Sequence, residues 1–203
     1  PAGTRVSAQE GCALRLDPSG VIRGSTSVTD QGQGTLTGIQ QVIAETLGVR
    51  FDAVYTESGD GGTTPYGGGS WASRGLAIGG EAARLASLDL RKKILGVAAA
   101  ISQVSPEKLS MVAGEIFKDG KSLMDLAELA QIVHFRQYTL PQDLDFEMNV
   151  TRHFLPRSFP YFMANGIQAS YLEVDLGTGS IKLLDHWIVG DCGTVVNPML
   201  VDE

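Results

Sequence analysis

Residues that build metal sites from side chains are scarce in this sequence. Its 203 residues include only two cysteines and three histidines, and the histidines lie far apart at positions 134, 153 and 186. Two thiols cannot complete a four-thiolate zinc or iron–sulfur site, and a His-Glu-x-x-His motif is absent. A metal that serves this chain must therefore arrive inside a cofactor.

The two cysteines leave two possibilities open. Cys12 and Cys192 are both reduced and buried, as is usual in the cytosol, or they form a single disulfide. We expect the reduced pair, and with it a cytoplasmic location, with the periplasm as the alternative.

Basic residues and long apolar runs are too few for several classes of partner. Lys and Arg number 16 against 23 Asp and Glu, which gives a formal net charge of −7. This balance argues against nucleic acid or an anionic membrane surface as the main partner. No apolar run approaches the roughly 18–20 residues that span a bilayer, and no signal peptide is visible. Because the chain begins without Met and stops without a terminal signal, we expect a piece of a longer protein.

The apolar pattern predicts alternating strands and helices. The expected strands cover residues 12–17, 21–28, 51–57, 109–117, 167–175 and 180–190. The expected helices cover residues 35–47, 74–103 and 123–134. Gly48 is the expected C′ residue of the first helix, and Ser122 with Asp125 the expected capping box of the third. Residues 136–164 hold three prolines in an irregular pattern, so we expect them to wrap the surface.

A hairpin pattern occurs twice along the chain. Leu-x-[Leu/Val]-Asp, a glycine-bearing turn and a second strand appear at residues 14–24 and again at 172–184. This repeat has two possible explanations, an internal duplication or the general similarity of β-hairpins to one another. The expected division is a hairpin-helix-strand-helix-strand unit over residues 1–117, a helix and irregular wrap over 118–164, and the start of a second unit over 165–203.

Three glycine-bearing turns carry the candidate chemistry, at residues 30–34, 67–75 and 190–193. A glycine-rich turn from strand to helix offers free N–H groups and the positive end of a helix dipole, which suit an anion. Gln33 adds an amide that donates and accepts hydrogen bonds, which suits a heterocycle or an oxo group. The alternative is that the glycines only shape tight loops and the glutamines are solvated.

Familiar catalytic motifs are missing from these loops. "GGGSWA" matches the Gly-x-Gly-x-x-Ala fingerprint of dinucleotide binding, but it lies well after its strand and no acidic partner follows at the proper place. A phosphate-binding P-loop and the Gly-x-Ser-x-Gly turn of hydrolases are absent. What remains are cofactor-cradling loops without a visible catalytic acid, base or nucleophile.

Taken together, three sequence blocks resemble one family. "TDQGQG", "PYGGGSWASRG" and "SYLEVD" with the later "VGDCGTVVNP" occur in the order and spacing of the molybdenum-cofactor-binding large subunit of the xanthine dehydrogenase/aldehyde oxidase family. The resemblance covers nearly the whole chain. It implies an α+β fold of hairpin-helix-strand-helix-strand units, incomplete in this chain, with molybdopterin held between duplicated lobes.

The resemblance also implies cofactor contacts in two loops. In the first loop they are made by a run of glutamines and glycines, namely Gln31, Gly32, Gln33 and Gly34. In the second loop Ala72 and Ser73 lie beside the molybdenum and the pterin phosphate, with the Ala72 backbone next to the metal. Arg74 follows them, and its charge suits either a phosphate or a structural salt bridge.

The family reaction hydroxylates a carbon centre of an aldehyde, purine or N-heterocycle with oxygen from water. The resemblance implies molybdopterin in its cytosine dinucleotide form, with 2Fe-2S clusters and FAD on other domains or subunits that receive the electrons. A glutamate is the base in this family. It lies downstream of the "VNPMLVDE" block and Glu203 is too early to be it, so we expect this chain alone to be inactive. The alternatives are a non-catalytic pterin or nucleotide-binding module and a folding remnant with structural glycines.

Overall fold

The computed structural model describes residues 8–157 and 163–202, and the chain divides into two units, residues 1–161 and 162–203. Strands and helices are mixed in the first unit, which confirms the α+β class. The order hairpin, helix, strand, helix predicted for its first half is also present. The boundaries predicted near residues 117 and 164, and the duplication, stay predictions.

A four-stranded sheet forms the base of the first unit, in the order β3-β2-β1-β7. Its strands are β1 (Glu10–Leu16), β2 (Ile22–Thr26), β3 (Val54–Ser58) and β7 (Asn149–Phe154). β1 is antiparallel to β2 and β7, and β2 is parallel to β3. Alternation along β1 turns Cys12, Leu14 and Leu16 into the core and leaves Arg15 exposed, which defines the covered face.

Two helices cover that face, α1 (Thr35–Leu47) and α2 (Gly80–Ser102), and a π-helical turn at Gly75–Gly79 leads into α2. Both bury apolar stripes at helical spacing, with Ile39 and Ile43 on α1 and Leu90 and Ile94 on α2 fully buried. α1 ends at the predicted Gly48. Its φ of 80° is left-handed, and a Cβ there would lie 2.4 Å from the Met111 carbonyl oxygen, so glycine is required.

A smaller three-stranded sheet follows, with β4 (Leu109–Val112), β5 (Glu115–Lys118) and β6 (Lys121–Asp125), before α3 (Leu126–Phe135). The single strand predicted over 109–117 is wrong, because Ala113 and Gly114 have φ values of 52° and 85° and reverse the chain. The predicted start of α3 is also wrong, because residues 121–125 pair with β5. Asp125 alone caps the helix and accepts a hydrogen bond from the Glu128 N–H at 2.7 Å, so the capping box with Ser122 does not form.

The irregular wrap predicted over 136–164 is wrong in its middle. Residues 149–154 form β7, which pairs with the free edge of β1. Leu140 and Met148 before it are buried in the core. Pairing with β1 satisfies the backbone hydrogen-bonding groups of β7. The local sequence pattern does not reveal this partner, because β1 lies far away in the chain. The rest of the segment includes residues 158–162, which lie outside the described residues.

The second unit contains the antiparallel hairpin of β8 (Asn165–Val174) and β9 (Ile181–Asp191) and the short α4 (Pro198–Asp202). The hairpin predicted over 167–175 and 180–190 is therefore confirmed. At its turn Asp175 accepts a hydrogen bond from the Gly177 N–H at 2.8 Å, as an aspartate before a tight turn does.

Both cysteines are free, so the disulfide alternative is wrong. Cys12 is buried on β1, and desolvation raises the pKa of its thiol to about 12, which keeps it protonated. Cys192 is exposed, contrary to the expected burial. Across the described ranges 8–157 and 163–202, no helix combines the length and the apolar character that a membrane span requires.

Candidate functional site

The first two glycine loops meet at one open cavity of about 490 Å³ in the first unit. Gln31 and Gln33 line it from the first loop, and Ala72 and Ser73 line it from the second. All four are exposed, so their polar groups are accessible to a ligand. The structure therefore brings together residues that the sequence places about forty positions apart. The volume lies within the range of roughly 300–1,000 Å³ that is usual for ligand pockets.

Asp30, which the sequence analysis did not single out, fixes the first loop. One carboxylate oxygen accepts from the Gly32 N–H at 2.8 Å and the other from the Leu36 N–H at 3.0 Å, in the first turn of α1. Backbone hydrogen bonds, the one from Leu36 first, hold the pKa of Asp30 below its ordinary value. Gly34 at the N-cap offers no side chain, so Asp30 supplies the cap from a distance. An aspartate shortly before a helix is a sequence signal for helix capping, and this signal could have identified Asp30.

Gln33 uses its two amide groups differently. Its Oε1 accepts a hydrogen bond from the Gln31 N–H at 2.6 Å, inside the loop. The Nε2 group is therefore what Gln33 offers to a ligand in the cavity, and it is a donor. Gly32 between the two glutamines has a φ of 102°, which a residue with a side chain rarely adopts. The loop thus combines a backbone turn with a fixed amide donor.

The second loop presents Ala72 and Ser73 in an unusual backbone conformation. Their φ values are 49° and 58°, so two successive non-glycine residues are left-handed. Each such residue costs on the order of 1–2 kcal/mol, so the surrounding contacts must hold them in place. The π-helical turn that leads into α2 starts two residues later, at Gly75. The positive end of this helical segment and the Ser73 hydroxyl suit an anionic group such as a phosphate.

Arg74 also borders the cavity. Its side chain and that of Glu10 on β1 are both fully buried and form an ion pair. Of the two roles that its charge suggested, the structure shows the salt bridge. Contact with a phosphate stays a prediction. The partner Glu10 had no signal in the sequence, because it lies 64 residues earlier in the chain.

Close packing joins the second loop to the first and to the sheet. The Ser70 hydroxyl donates to the Thr29 carbonyl oxygen, immediately before the first loop. A Cβ at Gly67 would lie 2.2 Å from the Glu10 Oε2 and from the Ser27 Oγ, so only glycine fits there. The glycine at 67 therefore permits close approach of backbone to a buried carboxylate.

The third predicted loop belongs to the second unit. Asp191 accepts a hydrogen bond from the Gly193 N–H at 2.9 Å, and Gly193 has a φ of 77°. This turn has the geometry of an aspartate-initiated loop.

The cavity offers several hydrogen-bonding groups, and these suit a pterin with a phosphate. They comprise the Gln33 amide, the Ser73 hydroxyl and backbone N–H groups at a helix start, which match the heteroatoms of a pterin ring and an anion. Among the described residues, no group of three or more His, Cys, Asp or Glu side chains could hold a metal ion. The donor set therefore fits a cofactor that binds through its organic part.

Comparisons with known proteins identify the family of this chain. The family described as "Molybdopterin cofactor-binding domain" matches residues 1–203. The carbon monoxide dehydrogenase large chain of Hydrogenophaga pseudoflava is 28% identical over 95% of this chain and 24% of its own length. The nicotine 6-hydroxylase large subunit of Paenarthrobacter nicotinovorans is 28% identical over 93% of this chain and 23% of its own length.

A solved structure shows the same fold. Quinoline 2-oxidoreductase from Pseudomonas putida 86 matches 96% of this chain and 25% of its own chain, with a TM-score of 0.79 and 29% identity. The chain thus spans about a quarter of the length of the relatives it matches. The family match over all 203 residues confirms the resemblance that the three sequence blocks carried. The chain therefore belongs to the molybdopterin cofactor-binding domain family of the molybdenum hydroxylases.

Proposed function

We propose that this chain is the part of a molybdenum hydroxylase large subunit that holds the molybdopterin cofactor. One observation carries the proposal: the Gln-Gly loop and the Ala72–Ser73 turn line the same cavity. The complete enzyme oxidatively hydroxylates an aldehyde, a purine or an N-heterocycle with oxygen from water. The names of the relatives include nicotine and quinoline, which are N-heterocycles, and also xanthine, a purine, so they do not single out one class.

Each loop has its own task in this proposal. Gln33 donates its Nε2 hydrogen atoms to an acceptor of the pterin, while Asp30 keeps the loop in shape. Ser73 and the helix start at Gly75 would hold the cofactor phosphate, and the Ala72 backbone would contribute to the part of the site that takes the metal end of the cofactor. When bound, the cofactor supplies the redox chemistry of molybdenum. The residues of this chain bind and orient it.

The remaining parts of the enzyme lie outside this chain in the proposal. Relatives of about four times this length leave room for the glutamate base and for the substrate contacts. The 2Fe-2S clusters and FAD sit on other domains or subunits and receive the electrons. A cytosine dinucleotide form of the cofactor and a cytoplasmic location belong to the same proposal.

The cofactor content of the full molybdenum subunit tests this function. The subunit, purified with its natural partner chains, should contain molybdenum and pterin in equal amounts, each close to one per subunit. Molybdenum is measured by metal analysis and pterin by fluorescence after oxidation. Pterin without molybdenum would favour a non-catalytic binding module. The absence of both would contradict the proposal and favour a folding remnant.

A further inference from the structure

Glu10 is a buried carboxylate that the proposed function does not use. It lies at the start of β1 with a fully buried side chain. Three donors from two other segments point at it. The Ser27 hydroxyl donates to Oε2, the Arg74 guanidinium donates to Oε1, and the Gly68 N–H donates to Oε1 at 3.0 Å. Removing a buried carboxylate that accepts three hydrogen bonds is costly, because its donors are then left buried without that acceptor.

Arg74 matches this carboxylate with an equally complete set of contacts. Its NH1 group donates to Glu10 and, at 2.9 Å, to the Gly69 carbonyl oxygen. Its NH2 group donates to the carbonyl oxygens of Ala8 at 2.9 Å and Gln9 at 3.2 Å. Both terminal amino groups are therefore fully used by acceptors of the protein. The guanidinium also lies 5.0 Å from the ring centroid of Trp71, which itself lines the cavity.

These contacts fasten the second loop at both ends. Gly68 and Arg74 bind the same Glu10 oxygen, so residues 68–74 form an arch above one carboxylate. Ala72 and Ser73 lie within the arch, and they are the left-handed pair at the cavity. Inside the arch the Trp71 indole N–H donates to the Gly68 carbonyl oxygen at 3.2 Å. The cost of the left-handed pair is thus offset by contacts to a group on β1.

We propose that Glu10 and Arg74 are positioning residues, whose buried ion pair holds residues 68–74 in the conformation that presents Ala72 and Ser73 to the cofactor. The pair acts through the loop, and neither side chain contacts the cofactor. This inference rests on the proposed function, since it assigns the loop a cofactor to hold. The proposal also differs from a direct contact between Arg74 and the cofactor phosphate. A direct contact of that kind would not require the ion pair with Glu10.

The test compares Glu10→Gln, Arg74→Lys and the double variant in the full molybdenum subunit with its partner chains. Glu81→Gln is the matched control, because Glu81 forms an exposed ion pair with Arg84 at the start of α2. The rate of pterin loss from the folded subunit is measured well below the melting temperature. Each single variant should lose pterin roughly 10–100-fold faster, as is usual when a supporting partner of a site is removed. The double variant should lose it no faster than either single variant.

A second readout does not need the cofactor. Hydrogen exchange of the peptide over residues 66–75 in the cofactor-free subunit should become at least about tenfold faster in Glu10→Gln, because the buried Arg74 guanidinium loses its charged partner and the loop opens more often. The Gly68 N–H, which also donates to the Gln9 carbonyl oxygen at 3.1 Å, exchanges through this loop opening. The control variant should leave this peptide unchanged. Ser27→Ala removes the hydroxyl that donates to Glu10, and it should shift both readouts in the same direction by a smaller factor. This variant replaces Glu10→Gln if Glu10→Gln does not fold.

Unchanged pterin loss and unchanged exchange in Glu10→Gln would overturn the inference, even if the melting temperature falls. Arg74→Lys with normal retention would overturn it as well, because a lysine still pairs with a phosphate as a point charge but cannot fill four acceptors. A wild-type subunit without pterin contradicts the proposed function instead. In that case the exchange measurement alone decides whether the arch depends on Glu10.

Discussion

At the scale of the single residue, the proposed function gives Gln33 two tasks, one within its loop and one toward the cofactor. Its Oε1 accepts from the Gln31 N–H, and the residue lines the cavity, where its Nε2 is the group proposed to donate to the cofactor. Gln33→Ala should reduce pterin retention by about 1–3 kcal/mol of binding free energy, because a buried acceptor of the cofactor loses its donor. Pterin and molybdenum content of the full subunit measure this.

Gln33→Glu separates the two tasks. A carboxylate still accepts from the Gln31 N–H but has no hydrogen to donate, so retention should fall at least as far as in the alanine variant. Gln131→Ala is the control, since the Gln131 amide donates to the Pro18 carbonyl oxygen at 2.6 Å and does not line this cavity. Normal retention in Gln33→Glu would show that Gln33 only shapes the loop.

At the scale of the element, Asp30 couples the start of α1 to the first loop, and its titration gives a prediction. The backbone N–H groups of Leu36 and Gly32 favour the charged form, so the pKa of Asp30 is lowered in the folded chain. The stabilisation is therefore complete above the ordinary pKa of an aspartate and is lost as the pH falls through the lowered pKa. Asp30→Asn should be less stable at neutral pH, with a difference that shrinks in acid.

Urea unfolding of the 203-residue chain at neutral pH and at roughly pH 3 measures this difference. Asp52→Asn is the control, because the Arg50–Asp52 pair is about two-thirds exposed and should contribute little to stability. A stability difference for Asp30→Asn that stays constant down to the acid range would contradict a charge-dependent cap.

The elements also show what the sequence could predict. Apolar spacing predicted α1, α2 and the β8–β9 hairpin, because each is determined by its own periodic pattern. It failed for β6 and β7, whose pairing partners β5 and β1 decide their conformation. The same contrast holds at the cavity. Local glycine and glutamine patterns predicted both loops, whereas the ion pair of Glu10 and Arg74 joins residues too distant for any local pattern.

At the scale of the whole molecule, the described residues that line the cavity include hydrogen-bonding groups but no side chain suited to act as a general base. The described residues that line it carry amide, hydroxyl and indole groups, together with the buried Arg74, and none carries a carboxylate or an imidazole. The hydroxylation of the proposed function uses water and needs a group that accepts a proton. In that proposal the group lies outside this chain, which spans about a quarter of the length of its relatives.

We therefore expect the 203-residue chain alone to form no product from an aldehyde, a purine or an N-heterocycle, even with the cofactor and an artificial electron acceptor supplied. The full subunit with its partner chains, assayed in parallel by product detection, should hydroxylate at least one of these classes. Turnover by the isolated chain would show that a proton acceptor within these residues reaches the cavity. Pterin binding by the isolated chain without turnover would separate holding the cofactor, which is the task proposed for the two loops, from the chemistry that the proposal assigns to the rest of the enzyme.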